Sequence, residues 1–124
     1  MIKVIFCLRR LPNLTLEAFH HYWLGQHAAL VREVAPALRI RRYVQSHQLA
    51  DPSLSMAAEI RGCKGAPYDG VAELWWDGVD DIIAAGATPA AIEAGTRLLE
   101  DERKFIDLAN SKIFFAREHA IIGS

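Results

Sequence analysis

Residues 2–9, IKVIFCLR, are dominated by β-branched and aromatic side chains, the composition of a strand. The next periodic stretch is helical. From Phe19, steps of three and four residues reach Trp23, His27, Leu30 or Val31, and then Val34, so one apolar face contains a single histidine. Thr15 is placed to cap this helix, Leu14 and Phe19 to form a hydrophobic staple, and Pro36 to end it. Residues 38–49, LRIRRYVQSHQL, alternate apolar and polar positions and predict a half-buried strand. Residues 51–69 are irregular, with room for one short helix before a loop containing Gly62, Gly65 and Pro67; a connection this long is expected to border a pocket mouth.

A third strand follows in GVAELWW, residues 70–76, and helical turns run from Val79 to Ala85, broken at Gly86. Thr88 and Pro89 then supply a cap and a first-turn proline for a helix through Ile92, Leu98 and Leu99 toward Phe105. The last strand is expected in SKIFFAREHAII, residues 111–122. The order is βαββαβ, a ferredoxin-like α+β pattern, with residues 1–124 forming one domain.

Both faces of the inner strands carry apolar residues. Ile2, Val4, Phe6 and Leu8 point one way and Ile5 and Cys7 the other, while Val71 and Trp75 oppose Ala72, Leu74 and Trp76. Two helices cover one face of such a sheet, so a second copy of the chain is the expected cover for the other. The result is a homodimer with two sheets packed face to face.

Composition narrows the functional classes. The chain has 124 residues, 52% hydrophobic and 23% charged, with a formal net charge of −1. That balance suits a water-soluble globular protein and not a nucleic-acid binder, which needs a concentrated basic surface. No apolar run approaches the ~18 residues of a membrane span, and Lys3, Arg9 and Arg10 interrupt any signal-peptide pattern. Cys7 and Cys63 lack zinc-site spacing and are expected to be reduced thiols in a cytoplasmic protein.

Three blocks carry a family resemblance. FHHYWLGQHAALV, residues 19–31, resembles the F-x-x-Y-W-x-x-x-H signature of EthD-like proteins, in the dimeric α+β barrel superfamily. YDGVAELWWDG, residues 68–78, resembles that family's third-strand block, and LLEDERKFIDLANSKIFFAREH, residues 98–119, its C-terminal block. Ala29 stands where the family often has a proline, so the resemblance extends to the histidine and not to the local helix geometry. It implies a small-molecule pocket between sheet and helices. It does not imply one reaction, since superfamily relatives include cofactor-independent isomerases, cyclases, dehydratases and decarboxylases, haem-binding enzymes, and auxiliary proteins of degradation pathways such as ether degradation.

The candidate residues have two readings each. His27 is either a structural histidine bonded on both nitrogens or, as the resemblance implies, the general base or acid at a cavity wall. Tyr43 and His47 share a strand face with Arg39, Arg41 and Gln45; the face is either solvated or part of the pocket, where Tyr43 would donate to a developing oxyanion. Glu73 either forms a cross-strand ion pair, with Arg9 or Arg117, or orients His27 or hydrogen-bonds a ligand. Trp23 and Phe105 are core residues or pocket wall. Asp101 and Glu102 read as a solvated, ion-paired helix end. No residue pattern calls for a metal, haem or other cofactor, and no activated nucleophile is apparent. These features lead to cofactor-independent proton-transfer chemistry, of lyase or isomerase type, on a small apolar cyclic or polyketide-like compound. The alternative is a non-catalytic ligand-binding or auxiliary protein.

Overall fold

The computed structural model of the chain describes residues 1–123. Strand β1 (Ile2–Leu8) leads into α1 (Leu16–Tyr22), a π-helical turn (Trp23–His27) and α2 (Ala28–Val34). Then come β2 (Arg42–His47), the short α3 (Met56–Glu59), β3 (Gly70–Trp76), α4 (Val79–Ala84), α5 (Pro89–Glu102) and β4 (Lys112–Ala116). The four strands form one antiparallel sheet in the order β2-β3-β1-β4, the ferredoxin-like arrangement predicted from the chain order.

The helix caps follow from their residues. Thr15 Oγ1 accepts the Ala18 N–H at 3.0 Å, and Thr88 Oγ1 accepts the Ala91 N–H at 3.1 Å with Pro89 in the first turn. What periodicity did not predict is the π turn between α1 and α2, where the Ala28 N–H reaches back to the Trp23 carbonyl. Single π turns inside α-helices are frequent at functional sites. The distortion lies just ahead of His27 and needs no proline at position 29.

Two strand boundaries differ from the alternation pattern. Strand β2 begins at Arg42 because residues 35–40 close α2: Arg39 adopts a left-handed conformation (φ 58°) and the Ile40 N–H bonds the Ala35 carbonyl at 3.0 Å. Strand β4 ends at Ala116, which pairs with Lys3 near the start of β1; beyond it β1 has almost no backbone left to pair. Ile121 and Ile122 lie outside the sheet and are exposed.

The main core fills the space between the sheet and the helices. Leu8, Phe19, Trp23, Ala72, Phe105 and Ile106 are buried together, and Phe19 packs on Trp23 and Phe105 at 5.6 and 5.5 Å between ring centroids. A second cluster, Val34, Leu38, Ala91 and Ala94, joins α2 to α5. On the opposite sheet face the expected apolar continuity is broken. Lys3 and Arg42 lie over the Trp75 ring at 5.0 and 4.6 Å, and Glu118 accepts the indole N–H. On β4, Phe114 lies on this outer face opposite Ile5 and is half exposed, whereas Ile113 and Phe115, opposite Phe6 and Val4, are turned to the helix side at the sheet edge and are also more than half exposed.

Candidate functional site

The last turn of α5 meets the π turn and α1 at a buried hydrogen-bond cluster. His27 is 6% exposed, and its Nδ1 lies 2.8 Å from Asp101 Oδ2. The Tyr22 hydroxyl donates to the other carboxylate oxygen, Oδ1, at 2.5 Å. Desolvation alone would raise the pKa of Asp101. The hydrogen bonds from Tyr22 and His27, with the nearby charges of His27 and Lys104, outweigh it and hold the carboxyl below its ordinary value. Burial pushes the Tyr22 phenol up to about 12, helped by the carboxylate beside it, so it stays a donor.

An ionised Asp101 only accepts, so it selects the His27 tautomer with hydrogen on Nδ1. The second nitrogen, Nε2, then carries a lone pair. Every fully buried side-chain nitrogen or oxygen among the described residues has a partner, and Nε2 makes no protein hydrogen bond; it therefore opens onto accessible space. That space is a cavity of about 40 Å³ between sheet and helices, bounded by His27, Trp23, Tyr43, Leu98 and Glu102, with Phe6 and Leu74 on its sheet side. It has room for a water or two at ~30 Å³ each. Burial lowers the imidazole below its usual value and Asp101 only partly restores it, so His27 is held neutral and able to take a proton.

Tyr43 reaches this cavity from β2. Gln45 holds it: the Gln45 side-chain amide donates to the Tyr43 hydroxyl at 2.7 Å and to the Trp23 carbonyl at 2.8 Å. The phenol thus accepts from Gln45 and keeps its own proton for something else. Burial pushes it up from its ordinary value, so it remains protonated in neutral solution.

The other sequence candidates fall elsewhere. His47 bonds Gln45 Oε1 at 2.7 Å and stacks on Trp23 at 4.6 Å, behind the cavity wall. Phe105 is fully buried and braces the His27 and Tyr22 rings at 5.0 Å each, outside the cavity lining. Glu73 does not orient His27. It sits on the opposite face of the sheet, paired across strands with Ile5, and its ion-pair partner is Lys3 rather than Arg9 or Arg117. The role considered for it belongs to Asp101. The irregular connection between β2 and β3 forms a groove of its own and shares no lining residue with the His27 cavity.

Sequence reasoning missed Asp101 and Glu102 as site residues. The signal was present in the helical phase. Ala91, Ala94, Leu98 and Asp101 follow one another at spacings of three or four, so a carboxylate stands on the stripe that faces the core. Glu102 follows it onto the cavity wall, where burial and the like charge of Asp101 push its carboxyl up to about 7. The site thus unites an oriented base, a protonated phenol and a readily protonated carboxyl in an apolar setting. No group of three or more metal-ligating side chains comes together among the described residues.

Solved structures with the same fold are similar to this chain at low identity. An ethyl tert-butyl ether d (EthD) family protein of Bacillus halodurans C-125 superposes with a TM-score of 0.62 at 18% identity, covering 96% of this chain and 99% of that one. A dimeric protein of unknown function with a ferredoxin-like fold from Bacteroides fragilis gives 0.57 at 11% identity, covering 94% and 95%. A dimeric ferredoxin-like protein of unknown function from Thermobifida fusca YX gives 0.55 at 17%, covering 94% and 90%. No curated protein matches the chain. The EthD domain model matches residues 11–109, most of the chain and every residue of the Tyr22–His27–Asp101 cluster, and the protein belongs to the EthD domain family.

Proposed function

We propose that this protein is a cofactor-independent acid–base catalyst, of lyase or isomerase type, for a small apolar cyclic or polyketide-like compound. One observation carries the reading: Asp101 holds His27 by Nδ1 and leaves Nε2 on the cavity. A histidine kept only for packing would satisfy both nitrogens within the protein. Here His27 takes a proton from substrate carbon, Asp101 stabilises the imidazolium that forms, and the Tyr43 hydroxyl donates to the developing oxyanion. In its closed form the cavity is too small for such a compound. Entry displaces the half-buried rim formed by Tyr43, Leu98 and Glu102.

The working unit in this reading is a homodimer. The half-exposed Phe114 on the outer sheet face supports it, as does the description of two similar structures as dimeric. The second functional reading is a non-catalytic binding or auxiliary role, favoured by the smallness of the cavity. Proton NMR in heavy water with cyclohexanone as probe separates the two. Catalysis predicts exchange of the α-hydrogens for deuterium, slowed roughly 100-fold or more in His27→Gln. Saturation transfer showing that cyclohexanone binds, with no exchange above the buffer rate, would establish the binding role instead.

A further inference from the structure

Glu102 has no part in the chemistry assigned so far, yet it borders the same cavity as His27. The two carboxyls at the end of α5 have different surroundings. Asp101 is engaged by Tyr22 and His27, whereas Glu102 lines the cavity together with the apolar side chains of Leu98, Leu74 and Phe6. The titratable groups around it are Asp101 on its own helix, His27 on the π turn, Tyr43 on β2 and, beyond Asp101, Tyr22 on α1 and Lys104. No lysine or arginine lines the cavity.

We propose that Glu102 is the catalytic acid that works with His27 as base, and that the site moves a proton between two carbons of a neutral, enolisable carbonyl compound. The inference rests on the acid–base reading of His27. In the first step the α C–H bond breaks and its proton goes to Nε2. The freed pair forms a carbon–carbon double bond, the carbonyl π pair moves to oxygen, and that oxygen takes the proton of the Glu102 carboxyl. In the return step the Glu102 carboxylate recovers the enol proton, and the His27 imidazolium delivers its proton to the γ-carbon of a conjugated dienol. A β,γ-unsaturated ketone becomes its α,β-unsaturated isomer, with every proton accounted for.

The charge balance suits the place. In the form that reacts, the site holds one negative charge, on Asp101, beside a neutral imidazole and the protonated Glu102 carboxyl. In the intermediate the imidazolium stands with Asp101 on its Nδ1 side and the new Glu102 carboxylate on the same cavity, so the net charge is unchanged. An anionic substrate would enter without a lysine or arginine to receive it and close to Asp101. This excludes carboxylates and phosphates as substrates and selects an uncharged ketone.

The test uses the full chain and a β,γ-unsaturated cyclohexenone, whose conversion to the conjugated isomer is read by absorbance. The wild type is expected to show a bell-shaped pH profile, its acid limb due to His27 and its alkaline limb due to Glu102. Glu102→Gln should lower kcat by roughly 100-fold or more and remove the alkaline limb, with partial recovery in Glu102→Asp. Carbon NMR of the resting wild-type chain should find the Glu102 carboxyl titrating near neutrality, which also decides the matter should the Gln variant fail to fold. Conversion that depends on His27 but survives Glu102→Gln with its alkaline limb intact overturns the proposal and leaves the His27 reading in place. So does a Glu102 titration in the ordinary carboxylate range. No conversion by the wild type overturns both.

Discussion

Asp101 and Glu102 are consecutive residues, yet Asp101 is kept ionised by Tyr22 and His27 while Glu102 is driven toward its neutral form on the cavity wall. The Asp101→Asn change separates the two effects. It preserves an acceptor for His27 Nδ1 but removes the charge that stabilises the imidazolium. Turnover of the cyclohexenone probe should fall on the order of 100-fold, with stability reduced by roughly 1–3 kcal/mol in urea unfolding. A variant with unchanged kcat would show that His27 acts without its partner.

Glu102 should leave a mark on stability as a function of pH. Its folded-state value, about 7, lies above the 4.5 of an unperturbed glutamate. The folded chain therefore binds more protons than the unfolded chain between those values, and stability falls as pH rises through them, by roughly 3 kcal/mol in all. His27, lowered by burial, acts in the opposite sense near the acid end of the same window, since its neutral folded form is lost as pH falls. Comparing wild type with Glu102→Gln isolates the first effect. The variant should be the more stable above neutrality, and urea midpoints across the pH range give the answer.

Tyr22→Phe removes the second donor to Asp101. Its cost should be about 1 kcal/mol, because the carboxylate retains His27. A less solvated Asp101 becomes the stronger partner for the imidazole, so the His27 titration should move upward toward the ordinary histidine value. Proton–nitrogen NMR of the ring reads this directly, and a downward move would contradict the charge arrangement described above.

Gly70 stands where Trp23 comes closest to the sheet. A Cβ at this position would lie 2.4 Å from Trp23 Cζ3 and 2.8 Å from the Ser46 carbonyl oxygen, too close for either to remain in place. Gly70→Ala should destabilise the fold by roughly 1–3 kcal/mol and displace the indole from the cavity wall. Thermal unfolding and the Trp fluorescence maximum report the two consequences.

The edge strand supplies a test of assembly. Phe114 is 50% exposed on the face away from the helices, opposite Ile5 in the register. Light scattering after size exclusion should find dimers of the wild type at micromolar concentration and monomers of Phe114→Glu. A wild type that elutes as a well-behaved monomer would remove the face-to-face sheet model.

The architecture was legible because its signals are local. Thr15 and Thr88 mark helix starts through groups a few residues away, and the apolar run of β1 identifies a central strand without knowledge of its neighbours. The site was legible only in part. His27 and Tyr43 stand out by residue type against an apolar row. Glu73 drew attention as a carboxylate in a central strand, but which face it occupies depends on the pleat, and Lys3 was already its neighbour there. The partner of His27 lies 74 positions away on another helix. Only the phase of α5 pointed to it, and a charged residue at a helix end is ordinarily read as solvated.

The π turn has a consequence for angular phase. Phe19, Trp23, His27 and Val31 recur at intervals of four, and all four are buried. In an uninterrupted α-helix each interval overshoots a full turn by ~40°, so the last member would be rotated ~120° from the first. The wider turn between Trp23 and His27 winds back part of that drift and keeps the row aimed at the sheet. Segment length, more than composition, therefore aims the histidine. Removing the solvent-facing Gly25 would restore regular winding and turn either His27 or the aromatic pair before it out of the interior, an effect that no substitution at Gly25 would produce.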